Sequence, residues 1–190
     1  MVKTCKINYY HKKMKDSLVL IIGVITLSRV VKSISKDICS LKFLTLYSNI
    51  LTLFMIIMHL CDKTHKHLFS AISNINFGMF TAFWFVYMFF GEKAIYGKYK
   101  PLLFEIYADH MLIPVASITI AILTNCYTNT KESTKNTIML GIFWILFTLY
   151  SGPAYPFLCD SEKKLNIPKL TVMVVCFGFI AISFDSVCSN

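Results

Sequence analysis

Long apolar runs separated by short polar segments dominate the 190-residue chain. The third run extends for about 22 residues without a charge, which is enough for a helix to cross the hydrocarbon core of a bilayer. No Gly/Ser linker or clear repeat divides the sequence. The pattern therefore predicts one all-α transmembrane domain over residues 1–190, a bundle of about six helices. The predicted helices cover approximately residues 17–35, 43–60, 69–90, 111–128, 137–152 and 169–187.

The first run is the weakest of the six. Its uncharged part, residues 17–28, is shorter than the roughly 20 residues that a span needs. Arg29 and Lys32 follow it, and we expect their charged ends to reach the membrane interface if this run spans. A basic segment precedes the run, as in a signal peptide, but no A-x-A-like cleavage site follows. We therefore expect a retained first helix that acts as a signal anchor.

Composition agrees with a membrane protein. Hydrophobic residues make up 56% of the chain and charged residues 15%, whereas soluble domains carry about 25% charged residues. The net charge of +9 comes from cations that flank the apolar runs, so we expect anionic lipid and not nucleic acid as the partner. The prediction is an integral multi-pass protein of the plasma membrane or of the endoplasmic reticulum and endomembranes. Lys and Arg divide almost equally between the two sides, which leaves the orientation open, and the oligomeric state is open too.

Two residues with potential for chemistry begin alternate runs. Thr45 lies near the start of the second run and His110 at the start of the fourth. If all six runs span, both residues lie near the same face of the membrane. A neutral imidazole can take a proton from a threonine hydroxyl, which could then attack an ester carbonyl. By themselves these residues have commoner roles, because such a threonine usually bonds a backbone carbonyl one turn back and such a histidine is usually an interfacial polar residue.

Four short motifs follow one another at the predicted helix boundaries. They are Lys42-Phe43-Leu44-Thr45, then Phe83-Trp84-Phe85-Val86-Tyr87 with Glu92-Lys93-Ala94-Ile95-Tyr96, then His110 with Pro114, and finally Tyr155-Pro156-Phe157-Leu158. In this order they resemble the androgen-induced and androgen-dependent TFPI-regulating protein family, over roughly residues 40–180. The resemblance implies a six-span membrane hydrolase of lipid esters, notably fatty acid esters of hydroxy fatty acids. It also implies that Thr45 is the nucleophile and His110 the general base, with a lipid ester as substrate and no cofactor.

The chain departs from this family's pattern in several places. The Asn and first His of the family's N-H-x-x-H segment are Ile106 and Tyr107 here, and its R-E pair is replaced by Glu92-Lys93. The third helix also lacks the family's usual proline at its start. These departures leave a second hypothesis open, in which the chain is a non-catalytic multi-pass membrane protein, either a degenerate family member or a small carrier.

The remaining polar clusters favour ordinary roles. Residues 59–67 contain His, Cys and Asp side chains, but their spacing fits no common zinc site, so we expect a polar interfacial loop and no metal. Asp109 is expected to cap the start of the fourth helix and Glu105 to be solvated. Neither residue then completes a triad with His110, and the predicted catalytic group is a dyad of Thr45 and His110.

Overall fold

Helices make up nearly all of the described chain. The structure is a computed structural model that describes residues 2–36, 44–96, 101–124, 131–152, 155, 158–159, 161–162 and 164–187. The helices are α1 (Val2–Lys36), α2 (Leu44–Leu60), α3 (Lys66–Phe90), α4 (Glu92–Tyr96), α5 (Leu103–Tyr107), a π-helical turn (Ala108–Leu112), α6 (Ile113–Leu123), α7 (Lys131–Ser151) and α8 (Ile167–Val187). The π-helical turn follows α5 and precedes α6 without a break, so the three form one helical rod. Six long helical elements and the short α4 confirm the all-α prediction.

Several helices begin earlier than the apolar runs predict. The fourth helical rod starts at Leu103, eight residues before the predicted start at 111, and α7 starts at Lys131 instead of 137. The apolar pattern marks only the part of a helix that faces lipid or the core, whereas backbone hydrogen bonding continues through polar residues. The predicted helix ends at residue 43 and at 125–128 lie outside the described residues.

The outer surfaces of the helices are apolar. Large hydrophobic side chains such as Ile21, Val24, Phe143, Val175 and Phe179 are exposed. Within the described residues three segments are long and apolar enough to cross a membrane, namely Asp16–Ser35 of α1, Lys66–Phe90 and Leu103–Leu123. Leu44–Leu60 and Ile167–Ala181 are shorter apolar helices. This architecture is compatible with an integral membrane protein.

Helix α3 is the central element of the bundle, since it packs against α2, α6, α7 and α8. One buried cluster surrounds its C-terminal half and includes Phe83, Trp144 and Phe177. A second surrounds its N-terminal half and includes Phe69 and Met55. The two clusters together fix α3 along its whole length, including the end that carries Phe83.

A line of buried polar residues also joins α3 to its neighbours, and we call it the polar seam. Ser133 of α7 donates to Ser70, Asn74 donates to Thr137 of α7, Asn76 donates to Thr52 of α2, and Ser73 donates to the carbonyl oxygen of Ser117 on α6. All of these side chains are buried. Hydrogen bonds of this kind hold helices together where burial of apolar surface between them contributes little, as in lipid.

Candidate active site

The polar residues of interest gather at one end of the bundle. The C-terminal ends of α1 and α3 meet the N-terminal ends of α2 and α5 there. The backbone N–H of Leu44 donates to the Tyr155 hydroxyl at 3.1 Å, and the Tyr96 hydroxyl lies 3.0 Å from His110 Nε2. Asn49 of α2, one turn after Thr45, donates to Asp109, the neighbour of His110, so Thr45 and His110 lie at the same end of the bundle.

Thr45 lies in the first turn of α2, where backbone N–H groups have no partner within the helix. The Tyr155 hydroxyl fills this role by accepting the N–H of Leu44, and both the hydroxyl and the N–H of Thr45 interact with the same oxygen. Burial raises the pKa of Tyr155, and the interactions with Thr45 and Leu44 partly oppose this rise. Tyr155 is therefore a neutral phenol in contact with the predicted nucleophile.

A short turn after α7 places Tyr155. Its carbonyl oxygen accepts the N–H of Leu158 at 2.9 Å, and the Leu158 side chain is fully buried against the core. Pro156 and Phe157 of the same motif lie outside the described residues, as do Lys42 and Phe43 before Thr45. The buried leucine anchors the segment, so Tyr155 is held at the start of α2.

His110 lies in the middle of the π-helical turn and is buried, with 4% of its surface exposed. Its ring stacks on Phe83 with ring centroids 3.4 Å apart and planes 5° from parallel, while Trp84 Nε1 donates to its carbonyl oxygen at 3.2 Å. The Tyr96 hydroxyl contacts Nε2, and buried Nδ1 finds no hydrogen-bond partner among the residues that the structure describes. The imidazole therefore has a fixed plane and one polar contact.

Tyr96 reaches this ring because the chain turns sharply after α3. Gly91 ends the helix at a φ of 74°, a left-handed conformation that glycine adopts at little cost. The short α4 follows and carries Tyr96 at its last position. Burial raises the pKa of Tyr96, and proximity to Tyr155 raises it further. Tyr96 is thus a second neutral phenol, close to the first.

Thr45 and His110 do not contact each other directly. In the part of the chain that the structure describes, the hydrogen bond at Nε2 is made by Tyr96 and none joins the imidazole to Thr45. Tyr155 contacts Thr45, Tyr96 contacts His110, and Tyr155 is near enough to Tyr96 to raise its pKa. We call these four residues the polar relay. From the sequence both tyrosines are expected in an aromatic belt at the membrane interface and not in catalysis, although both stand in the motifs that carry the resemblance.

A charged network lies next to the relay and consists of Arg29, Lys32, Glu105 and Asp109. The Arg29 guanidinium donates to both carboxylate oxygens of Asp109, with Nε–Oδ1 at 2.9 Å and Nη2–Oδ2 at 2.6 Å. Its Nη1 lies 2.9 Å from Glu105 Oε1, and Lys32 Nζ lies 2.8 Å from the same oxygen. Asn49 Nδ2 donates to Asp109 Oδ1 at 3.2 Å.

This network corrects three expectations from the sequence. Glu105 is not solvated but 6% exposed, and the Arg29 side chain is only 11% exposed instead of reaching out to the interface. Asp109 does not cap a helix, because the helical rod begins six residues earlier, at Leu103. The physical reason is pairing: residues 105 and 109 lie one turn apart on one helix face, where Arg29 neutralises both. Lys32 is half-exposed, and its Nζ binds the buried carboxylate of Glu105.

The ring of His110 has no carboxylate partner among the described residues, and Asp109 is engaged with Arg29. In the same residues no three His, Cys, Asp or Glu side chains form a group that could hold a metal ion. The last turn of α2 makes a weak contact with α1, with His59 Nε2 at 3.9 Å from Asp16 Oδ1. Hydroxyls and an imidazole are therefore the uncharged polar groups that this end of the bundle brings together.

Comparison with protein-family models, with curated proteins and with solved structures gives no match to this chain. The resemblance described above accordingly rests on its four motifs. Five of their described members, Thr45, Phe83, Tyr96, His110 and Tyr155, are gathered at one end of the bundle in the structure.

Proposed function

We propose that this chain is an intramembrane hydrolase of lipid esters, with Thr45 as the nucleophile and His110 as the general base. The observation that carries the proposal is the polar relay, in which the Thr45 hydroxyl contacts the Tyr155 phenol and the Tyr96 phenol contacts the buried imidazole of His110. A hydroxyl attacks a carbonyl readily only when a base takes its proton. The relay supplies that base at a distance, and the resemblance of the motifs to a family of lipid ester hydrolases supports the same reading.

The proposed reaction has two halves. Thr45 Oγ1 bonds to the ester carbonyl carbon while its proton passes to Tyr155, the Tyr155 proton to Tyr96, and the Tyr96 proton to His110 Nε2. Transfer between the two tyrosines requires a hydrogen bond or one water molecule. The carbon–oxygen bond to the alcohol then breaks, and the proton returns from His110 to the leaving oxygen. Water repeats the sequence on the acyl-threonine and releases the fatty acid.

A lipid substrate suits this location. The relay lies at the ends of helices whose outward faces are apolar, and Met88, Phe89, Leu103 and Phe104 near the same end are each at least 65% exposed. A substrate dissolved in the bilayer reaches such an end by lateral diffusion, with its chains against this apolar surface. We propose further that all six long helices span the membrane, at the plasma membrane or in the endoplasmic reticulum and endomembranes.

The experiment compares purified variants in lipid or detergent. Wild-type protein should hydrolyse a fatty acid ester of a hydroxy fatty acid and react with a fluorophosphonate probe, and Thr45→Ala and His110→Ala should lose both activities by about 100-fold or more. Thr81→Ala is the matched control, because the Thr81 hydroxyl only donates to the Phe77 carbonyl oxygen one turn back. Full activity in both the Thr45→Ala and His110→Ala variants would show that the assignment is wrong.

The second hypothesis, a non-catalytic multi-pass protein, is favoured by one observation. The His110 ring contacts Tyr96 and not Thr45, and buried charges within helices are typical of carriers. In this case wild-type protein would neither hydrolyse the ester nor react with the probe. We prefer the hydrolase, because described residues of all four motifs gather at one end of the bundle.

A further inference from the structure

The charged network fixes the helical turn that carries His110. We propose that Arg29 and Asp109 are positioning residues, which set the place of the His110 imidazole by holding the π-helical turn against α1. The proposal rests on the proposed function, because it concerns the base of that reaction. It gives a role to two residues that do not touch the relay's hydroxyls or its imidazole.

The π-helical turn needs outside support. A π-helical turn inside an α-helix is rare and is found mostly at functional sites. Here it covers Ala108–Leu112, with Asp109 and His110 as neighbours in its centre. Successive residues of a helix point roughly 100° apart, so Asp109 can face α1 while His110 faces Phe83 and Tyr96. Whatever fixes the direction of Asp109 therefore also fixes that of His110.

The contact with Arg29 is suited to fixing a direction. A planar guanidinium that binds both oxygens of a carboxylate sets its orientation as well as its distance. Arg29 binds Asp109 in this way and also binds Glu105, one helical turn earlier. Two successive turns of the rod are thus tied to one side chain of α1. Lys32, by contrast, contacts only Glu105 within the network.

The charged groups of the network pair with one another. Two cations face two carboxylates, and Asp109 makes no hydrogen bond to the His110 ring among the described residues. A buried ion pair often adds little to stability, because the loss of hydration offsets the attraction between the charges. Its main effect here is then to select one geometry for the turn, and His110 is the residue that depends on it.

The test replaces both Arg29 and Asp109 by apolar residues instead of removing only one of the two charges. A single replacement leaves a buried charge without a partner, which is strongly destabilising, whereas an apolar pair of similar size is often tolerated. Arg29→Met with Asp109→Leu leaves Glu105 bound to Lys32 and to the N–H of Leu102. We expect this double variant to stay folded, with a melting temperature lowered only because Asn49 Nδ2 loses its acceptor Asp109 Oδ1. We expect KM to be kept while kcat falls about 10- to 100-fold, since a displacement near 1 Å costs about that much. Nitrogen NMR of labelled histidine should show a changed His110 ring signal.

Two further variants sharpen the result. Arg29→Lys keeps the positive charge without the planar fork and should lower kcat about tenfold. Lys32→Gln is the matched control, one turn further along α1, and should keep kcat within about twofold. The proposal is overturned if the double variant or Arg29→Lys retains wild-type kcat, if Lys32→Gln loses as much, or if the double variant unfolds. The Thr45→Ala variant, measured in parallel, separates these outcomes, because its full activity would reject the proposed function itself.

Discussion

Replacing Tyr155 by Phe tests the link between the nucleophile and the rest of the polar relay. The change removes one oxygen, which now accepts the N–H of Leu44 at 3.1 Å and interacts with the hydroxyl of Thr45. The ring itself is retained, so its packing against the neighbouring core is retained as well. Any loss therefore reports on the hydroxyl.

The expected effects on stability and on rate differ in size. Leaving the first N–H of α2 without an acceptor should cost about 1–3 kcal/mol of the free energy of unfolding. If Tyr155 passes the proton from Thr45, kcat should fall by about 100-fold or more, the usual contribution of a positioned proton carrier. KM should change little, because the phenol acts on the nucleophile and not on the lipid chains.

The assay compares Tyr155→Phe with Tyr47→Phe. Tyr47 lies on α2, the helix that carries Thr45. Its hydroxyl donates to the carbonyl oxygen of Leu140 at 2.9 Å, away from the relay. Tyr47→Phe loses one partly buried hydrogen bond, whereas Tyr155→Phe loses its contacts with Leu44 and Thr45, so Tyr155→Phe should lose more thermal stability. Only Tyr155→Phe should lose ester hydrolysis and reaction with the fluorophosphonate probe. Equal rates in the two variants would refute the relay and leave Tyr155 as a cap of α2.

Two other predictions concern packing and pH. Gly78→Ala should lower the free energy of unfolding by about 1–3 kcal/mol in a denaturation assay, because a Cβ there would lie 2.9 Å from Phe177 Cε2. Gly141→Ala is the control and should not lower it, because no atom lies within 4 Å of a Cβ at that position. Burial raises the pKa of Tyr96 and Tyr155 above the ordinary value of 10.0, so the stability held by these neutral phenols is complete below pH 10 and is lost as the pH rises above it. Ultraviolet titration should find the same phenolate absorbance near pH 10 in wild type and in Tyr96→Phe, and a lower absorbance in the variant would contradict the buried phenol.

The helices could be predicted from the sequence because their outer faces and their core contacts are both apolar. Runs such as the one in α3 are visible without knowledge of what they contact. The charged network could not be predicted in this way. Arg29 and Asp109 are 80 residues apart in the chain, and the rule that cations extend to the interface considers each charge alone. Only the packing of α1 on the π-helical turn brings the two together.

The candidate site was partly predictable. Counting helices puts Thr45 and His110 at one end of the bundle, and the structure has them there. The count cannot give their separation, which depends on how α2 and the π-helical turn are rotated. Tyr96 and Tyr155 were hidden for another reason: tyrosines near helix ends are expected at a membrane interface in any case. Their positions in the motifs are the signal that could have identified them.

The polar seam has a consequence for how the protein is made. Ser70 and Asn74 of α3 find their partners on α7, 63 residues later in the chain. When α3 leaves the ribosome, α7 has not yet been synthesised, so these side chains lack their hydrogen-bond partners until α7 emerges. A nascent helix with unpaired polar groups is poorly suited to release into lipid. We expect the insertion machinery to retain α3 until α7 emerges, so that the two helices enter the bilayer as a pair.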